Sequence, residues 1–97
     1  MGTTEFENRI RISAVFYGRV QGVGFRYSAH YLAETLRLTG WVRNEYDGSV
    51  TVEIQGDRTS IDQWFSLISQ RRFIEVERVE KQEIPLDDNE RTFGVRY

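Results

Sequence analysis

The 97 residues are enough for one folded domain and too few for two. Hydrophobic residues make up 39% of the chain and the formal net charge is −2, which disfavours a general nucleic-acid binder with a basic surface. The chain has no cysteine, so disulfides, zinc-thiolate sites and thiol nucleophiles are excluded. No apolar run approaches the length of a membrane span, and we expect a cytoplasmic protein with no membrane partner.

The first half of the chain predicts a strand, a helix and a second strand after a loose tail. Residues 1–8 are polar and show no period, which is typical of a loose terminus. Apolar residues alternate from 10 to 16 and predict a strand with one buried face. Helical spacing of apolar residues predicts a helix at about 25–36. A short strand is expected at Thr39–Asn44.

The second half predicts a hairpin, another helix and two more strands. Asp47-Gly48 is a strong turn signal, and the alternation of Val50, Val52 and Ile54 after it predicts a third strand. An apolar stripe from Ile61 to Ile68 predicts a second helix.

Three further features complete this half. Thr59 or Ser60 is the expected N-cap of the second helix. A break in period between 74 and 79 indicates a bulge in the fourth strand, which a polar segment at 83–90 follows. Alternation at 93–97 predicts a last strand.

This order of elements predicts an α+β domain with a split β-α-β plan. Its antiparallel sheet of four to five strands carries both helices on one face. A right-handed crossover makes the first two strands parallel, with the third strand between them. Their carboxyl ends then lie at the same edge of the sheet, about 10 Å apart. We expect 9–97 to be a single domain of this kind.

The most informative segment is the junction between the first strand and the first helix. Gly18, Gly22 and Gly24 allow backbone N–H groups to converge there, and the helix adds its own unpaired N–H groups. Such a junction favours an anion. Arg26 places a cation in the first helical turn, where the helix dipole disfavours it by roughly 0.3–1 kcal/mol. A bound phosphate would remove that conflict.

Asn44 ends the second strand, at the sheet edge that also carries the glycine loop. Because side chains alternate along a strand, Asn44 shares a face with Val42, which is expected to face the helices. Asparagine before a turn is common for structural reasons alone. Its expected placement near Arg26 leaves a functional role open beside that structural one.

The chain resembles the acylphosphatase family. The resemblance covers about Arg9 to Tyr97 and is carried by Gly18-Arg-Val-Gln-Gly-Val-Gly-Phe-Arg26, which is similar to the family's phosphate loop. It is also carried by Thr39-Gly-Trp-Val-Arg-Asn44, by Asp47-Gly-Ser-Val50 and by Phe93-Gly-Val-Arg-Tyr97.

The resemblance implies a ferredoxin-like sandwich that hydrolyses the carboxyl–phosphate bond of small acyl phosphates, with no metal and no cofactor. It implies Arg26 and Asn44 as catalytic residues. The residues expected to bind the phosphate, mostly through their backbone, are Arg19, Val20, Gln21, Gly22, Val23, Gly24, Phe25 and Arg26. The expected partners are a small acyl phosphate and inorganic phosphate, the latter as product and competitive inhibitor. A monomer is expected.

Two positions depart from the family pattern. Arg37 stands where the family usually has the glycine that ends the first helix, which would lower stability by roughly 1 kcal/mol if the residue is left-handed. Arg71-Arg72-Phe73 replaces a frequent Gly-Pro after the second helix.

Two other functions are weighed against hydrolysis. A module that binds acyl or carbamoyl phosphate without catalysis would have the same sequence features, since similar domains begin hydrogenase-maturation carbamoyltransferases. It is disfavoured if the 97 residues are the complete product. An RNA-binding sheet of this topology is disfavoured because its aromatic signature is missing from the third strand.

Overall fold

The computed structural model describes residues 8–97. The tail predicted at residues 1–8 therefore lies almost wholly outside the described residues. In chain order the elements are β1 (Arg9–Arg19), α1 (Phe25–Thr35), β2 (Thr39–Asn44), β3 (Val50–Asp57), α2 (Arg58–Ser69), β4 (Glu75–Ile84) and β5 (Phe93–Arg96). All seven elements expected from the sequence are present.

The five strands form one sheet in the order β4-β1-β3-β2-β5. Both β1 and β2 pair antiparallel with β3, so they run parallel to each other on either side of it. This confirms the split β-α-β topology. β5 pairs in parallel with β2, so the five-stranded sheet is mixed and not wholly antiparallel as predicted. The carboxyl ends of β1 and β2 therefore lie at one edge, as the sequence predicted.

The core lies between the sheet and the two helices. Phe16 of β1 packs against Phe25 of α1 and Trp64 of α2, with ring centres 4.9 and 6.0 Å away. Each fully buried large side chain of this kind contributes about 1.5–3 kcal/mol. The indole N–H of Trp64 donates a 3.1 Å hydrogen bond to the carbonyl oxygen of Ala29, which joins the helices and leaves no polar atom of the ring unpaired. Within 8–97, neither helix is long and apolar enough to cross a bilayer.

The start of α2 differs from its prediction. The N-cap is Asp57, whose carboxylate accepts a 3.1 Å hydrogen bond from the backbone N–H of Thr59. The prediction of Thr59 or Ser60 was wrong because the helix begins earlier than the apolar stripe indicates. Asp57 also ends β3, so one residue closes a strand and caps a helix.

The irregularity expected in β4 is confirmed. Tyr17 pairs with Arg78 but Gly18 pairs with Val76, which leaves Glu77 as an extra residue in the strand. β4 also continues to Ile84, into the polar segment noted at 83–90.

Helix α1 ends at a residue with left-handed backbone. Arg37 has φ +59°, and it is the one described residue other than glycine with positive φ. The N–H of Arg37 donates to the carbonyl of Glu34, and the N–H of Leu38 donates to the carbonyl of Ala33. This is the Schellman pattern, in which the residue after the helix adopts a conformation that favours glycine.

Candidate active site

The glycine loop between β1 and α1 leaves its backbone donors open. Gly22 and Gly24 have φ of +72° and +79°, which side-chain-bearing residues rarely adopt. Gly24 is the N-cap of α1 and provides no side-chain acceptor to the helix. Within residues 8–97, no backbone hydrogen bond outside the helices and strands is donated from 21–24. The first turn of α1 has no acidic residue, so the loop and helix start present unopposed N–H groups.

A hollow of about 360 Å³, here called the central hollow, opens at this loop. Its lining residues are Val20, Gly22, Gly24, Phe25, Arg26, Tyr27, Asn44, Val95 and Tyr97. Arg26 of α1 and Asn44 of β2 thus line the same hollow, although 18 positions separate them in the chain. The topology brings them together because β1 and β2 end at the same edge of the sheet.

The side-chain oxygen of Asn44 is buried and accepts no hydrogen bond from the described residues. An unsatisfied buried acceptor costs about 1–3 kcal/mol, so such atoms are rare unless a ligand or water completes them. Asn44 also lines the central hollow, so its side-chain amide is suited to hold a water molecule there.

The guanidinium of Arg26 is held beside an aromatic ring. Its central carbon lies 5.0 Å from the ring centre of Tyr97, which follows β5 and also lines the central hollow. This cation–π contact restricts the side chain without using its N–H donors. Five N–H donors of a planar guanidinium therefore stay available for a phosphoryl group.

Gln21 has a role that the sequence analysis missed. Its side-chain amide nitrogen donates to the carbonyl oxygens of Glu45 and Ser49, at 2.7 and 2.8 Å. The contact fixes the glycine loop to the turn that follows Asn44. An amide side chain in a phosphate loop was the available signal, but its partners lie 24 and 28 residues away and could not be identified from the sequence.

The loop residues expected to bind phosphate lie in three places. Val20, Gly22, Gly24, Phe25 and Arg26 line the central hollow. Arg19 and Val23 instead line a neighbouring hollow that also includes Gly22, and Gln21 is directed to the β2–β3 turn. Tyr97 also lines the central hollow, although the sequence analysis placed it only in a terminal strand motif.

The turn after Asn44 carries stable negative charge. A hydrogen bond with Thr51 and the pairing with Arg43 lower the pKa of Glu45. Hydrogen bonds from the hydroxyl and the backbone N–H of Ser49 lower the pKa of Asp47. Both carboxylates are therefore ionised at neutral pH. They repel an incoming anion from the turn, so the anion meets less repulsion at the glycine-loop side of the central hollow than at the turn side.

Comparison with known proteins gives one consistent result. A family model described as Acylphosphatase matches residues 12–95. An acylphosphatase of Clostridium acetobutylicum is 43% identical over 81 residues, which are 82% of this chain and 89% of the relative. One of Clostridium beijerinckii is 39% identical over 89 residues, covering 91% of this chain and 99% of the relative. The solved structure of an acylphosphatase from Coxiella burnetii superimposes with a TM-score of 0.87 at 36% identity, covering 97% of this chain and 99% of that one.

Proposed function

This chain belongs to the acylphosphatase family, and we propose that it hydrolyses small acyl phosphates by attack of water on phosphorus in the central hollow. The products are a carboxylate and inorganic phosphate. The observation that carries the proposal is that Arg26 and Asn44 line one hollow at the glycine loop. The side-chain oxygen of Asn44 is buried and has no hydrogen-bond partner among the described residues.

In this proposal the phosphoryl group lies against the glycine loop. The open N–H groups of the loop and of the first turn of α1 donate to its oxygens, and Arg26 adds a bidentate pair of N–H donors. These donors are fixed before the substrate arrives, so they stabilise charge that rearranges on the phosphoryl oxygens in the transition state. Gln21 and Tyr97 act as positioning residues, since they hold the loop and the guanidinium in place.

Asn44 orients the attacking water through its side-chain amide. The water oxygen forms the new bond to phosphorus as the bond between phosphorus and the acyl oxygen breaks. The electron pair of that bond leaves with the carboxylate, and a phosphoryl oxygen takes the proton of the water. A carboxylate is a good leaving group that needs little protonation, so the reaction requires no strong general acid. The proposal includes no metal ion and no phosphoenzyme.

The experiment follows benzoyl phosphate hydrolysis by ultraviolet absorbance in the presence of a chelator. We expect turnover, with competitive inhibition by inorganic phosphate. In ¹⁸O-labelled water the label should enter phosphate and not benzoate, because attack is at phosphorus. A substrate made chiral at phosphorus should give the inverted product. Label in benzoate, or retained configuration, would contradict the mechanism.

The same assay tests the rival function. A non-catalytic module would bind inorganic phosphate with the same residues but would not accelerate hydrolysis above the rate in buffer. The acylphosphatase relatives, which this chain matches along 89% and 99% of their lengths, favour the enzyme. The monomeric state and cytoplasmic location stay predictions, which sedimentation and cell fractionation can test.

A further inference from the structure

Two further hollows adjoin the central hollow at different walls. The turn hollow is lined by Arg43, Asn44, Glu45, Tyr46 and Tyr97. The basic hollow, of about 360 Å³, is lined by Arg19, Gly22, Val23, Arg72, Phe73 and Glu75. The turn hollow shares Asn44 and Tyr97 with the central hollow, whereas the basic hollow shares Gly22. A substrate whose phosphoryl group fills the central hollow could therefore extend its acyl group in either direction.

The geometry of phosphoryl transfer selects between them. The attacking and leaving oxygens lie roughly in line through phosphorus. If Asn44 holds the attacking water, the acyl oxygen leaves from the opposite side, away from the turn hollow. The basic hollow meets the central hollow at Gly22, which lines both. A Cβ there would meet no heavy atom within 4 Å, so the loop has open space at the point the two hollows share.

The two hollows also differ in charge. In the turn hollow Arg43 is paired with Glu45 at 3.0 Å, so its charges cancel. In the basic hollow Arg19 and Arg72 face one carboxylate, Glu75. Neither arginine is in an ion pair with a side chain of residues 8–97. The net charge of this lining is +1, and both guanidinium groups are available to an anion.

The position of Arg72 is constrained by its neighbour. Its guanidinium carbon lies 5.3 Å from the ring centre of Phe73, whose side chain is 64% exposed. The lining of the basic hollow thus combines the cation of Arg72 with two apolar side chains, Phe73 and Val23. Such a lining suits a short carbon skeleton that carries an anionic group at its far end.

We propose that the basic hollow is the acyl-group subsite and that it gives this enzyme a preference for acyl phosphates with a second anionic group on the acyl part. Arg72 and Arg19 are the specificity-determining residues in this proposal. The inference rests on the proposed function, because it takes the phosphoryl position and the water at Asn44 from it. It concerns Arg71-Arg72-Phe73, the segment that follows α2.

The test compares two substrates that differ only at the far end of the acyl group. These are 4-carboxybenzoyl phosphate and 4-methylbenzoyl phosphate, each corrected for its rate in buffer. We expect kcat/KM to be about 3- to 5-fold higher for the carboxylate at low salt, the scale of an exposed ion pair. In Arg72→Gln the ratio should fall to about one, and in Arg72→Glu it should fall below one.

Arg58→Gln is the matched control, since Arg58 is an exposed arginine at the opposite end of α2 and lines none of the three hollows. It should keep both rates and their ratio. Added salt should lower the ratio in the unaltered chain, because screening weakens an exposed pair. A ratio of one in the unaltered chain, or one that Arg72→Gln leaves unchanged, overturns this inference alone. If neither substrate is hydrolysed above its rate in buffer, the proposed function is overturned, and this inference with it.

Discussion

The side-chain amide of Gln21 donates a 2.7 Å hydrogen bond to the carbonyl oxygen of Glu45. The same nitrogen lies 2.8 Å from the carbonyl oxygen of Ser49, which also accepts from the N–H of Glu45. One amide group therefore ties the glycine loop to both sides of the turn that follows Asn44. The two halves of the proposed site are joined by this contact.

Replacing Gln21 should separate those halves. In Gln21→Ala both hydrogen bonds are lost, and we expect kcat to fall by about 10-fold or more, because small misplacements of reacting groups are costly. Gln21→Glu should be worse, since a carboxylate cannot donate to two carbonyl oxygens. Steady-state kinetics with benzoyl phosphate measures the effect, with the exposed Gln63→Ala as control. If Gln21→Ala lost stability but kept kcat, the contact would be structural only.

Arg26 should be required for phosphate binding as well as turnover. We expect Arg26→Ala to lower kcat/KM by at least about 10²-fold, the scale of losing an oriented donor. Arg26→Lys should also be poor, because an ammonium cannot form the planar bidentate pair. Inhibition by inorganic phosphate should weaken in both variants, and near-UV circular dichroism should stay unchanged. Near-normal turnover in Arg26→Lys would rule out the bidentate contact.

Replacing Asn44 should lower activity without lowering the free energy of unfolding. Asn44→Ala removes the amide that orients the attacking water, so kcat should fall by about 10²-fold with little change in phosphate inhibition. It also removes a buried oxygen that has no partner among the described residues, so the free energy of unfolding should be unchanged or higher. Urea denaturation and kinetics on one preparation test both parts. A large loss of stability would assign Asn44 a structural role instead.

Arg37 offers a test of backbone strain away from the site. Because its φ is +59°, Arg37→Gly should raise the free energy of unfolding by about 1 kcal/mol. That corresponds to an increase in Tm of about 4–8 °C for a domain of this size. Arg37→Ala is the control, since it removes the guanidinium but keeps the Cβ, and it should bring no gain. Equal stabilisation by both variants would assign the effect to charge.

The sequence was sufficient to predict the parts of the fold that depend on local pattern. Alternation in β1 and β3 and the helical stripe at Ile61–Ile68 gave the correct elements, because one face of each is buried. The approach of Arg26 and Asn44 was also predictable, since the handedness of the crossover fixes which strand ends share an edge.

What the sequence could not predict are side-chain contacts between distant segments. Arg11 alternates with the apolar residues of β1 and lies on the face opposite to them, yet it is 4% exposed and bonded to Glu90, 79 positions away. The side-chain bonds of Gln21 were missed for the same reason. Alternation reports which face a residue lies on, but not whether a later segment covers that face.

The contacts that bury Arg11 lead to a last prediction, which concerns stability. Arg11 donates to Glu53 at 2.9 Å and to Glu90 at 2.7 Å, and it also reaches the side chain of Gln55. These bonds fasten the segment between β4 and β5 to the open face of the sheet. Arg11→Met would leave two partly buried carboxylates without their cation, and we expect unfolding to become easier by about 2–3 kcal/mol, below the range for fully buried pairs.

Arg9→Met is the matched control for this effect, because Arg9 lies two residues earlier on the same face and its ion pair with Asp88, at 3.5 Å, is exposed. Loss of that ion pair should change the free energy of unfolding by less than about 0.5 kcal/mol.

Adding Glu90→Gln to Arg11→Met should restore part of the stability lost in Arg11→Met, since it removes one unpaired charge. A double-mutant cycle in urea measures that coupling. Because Glu90 precedes β5, which carries Val95 to the central hollow, Arg11→Met should also weaken inhibition by phosphate. Equal losses in the Arg9 and Arg11 variants would show that burial of Arg11 contributes nothing beyond its charge.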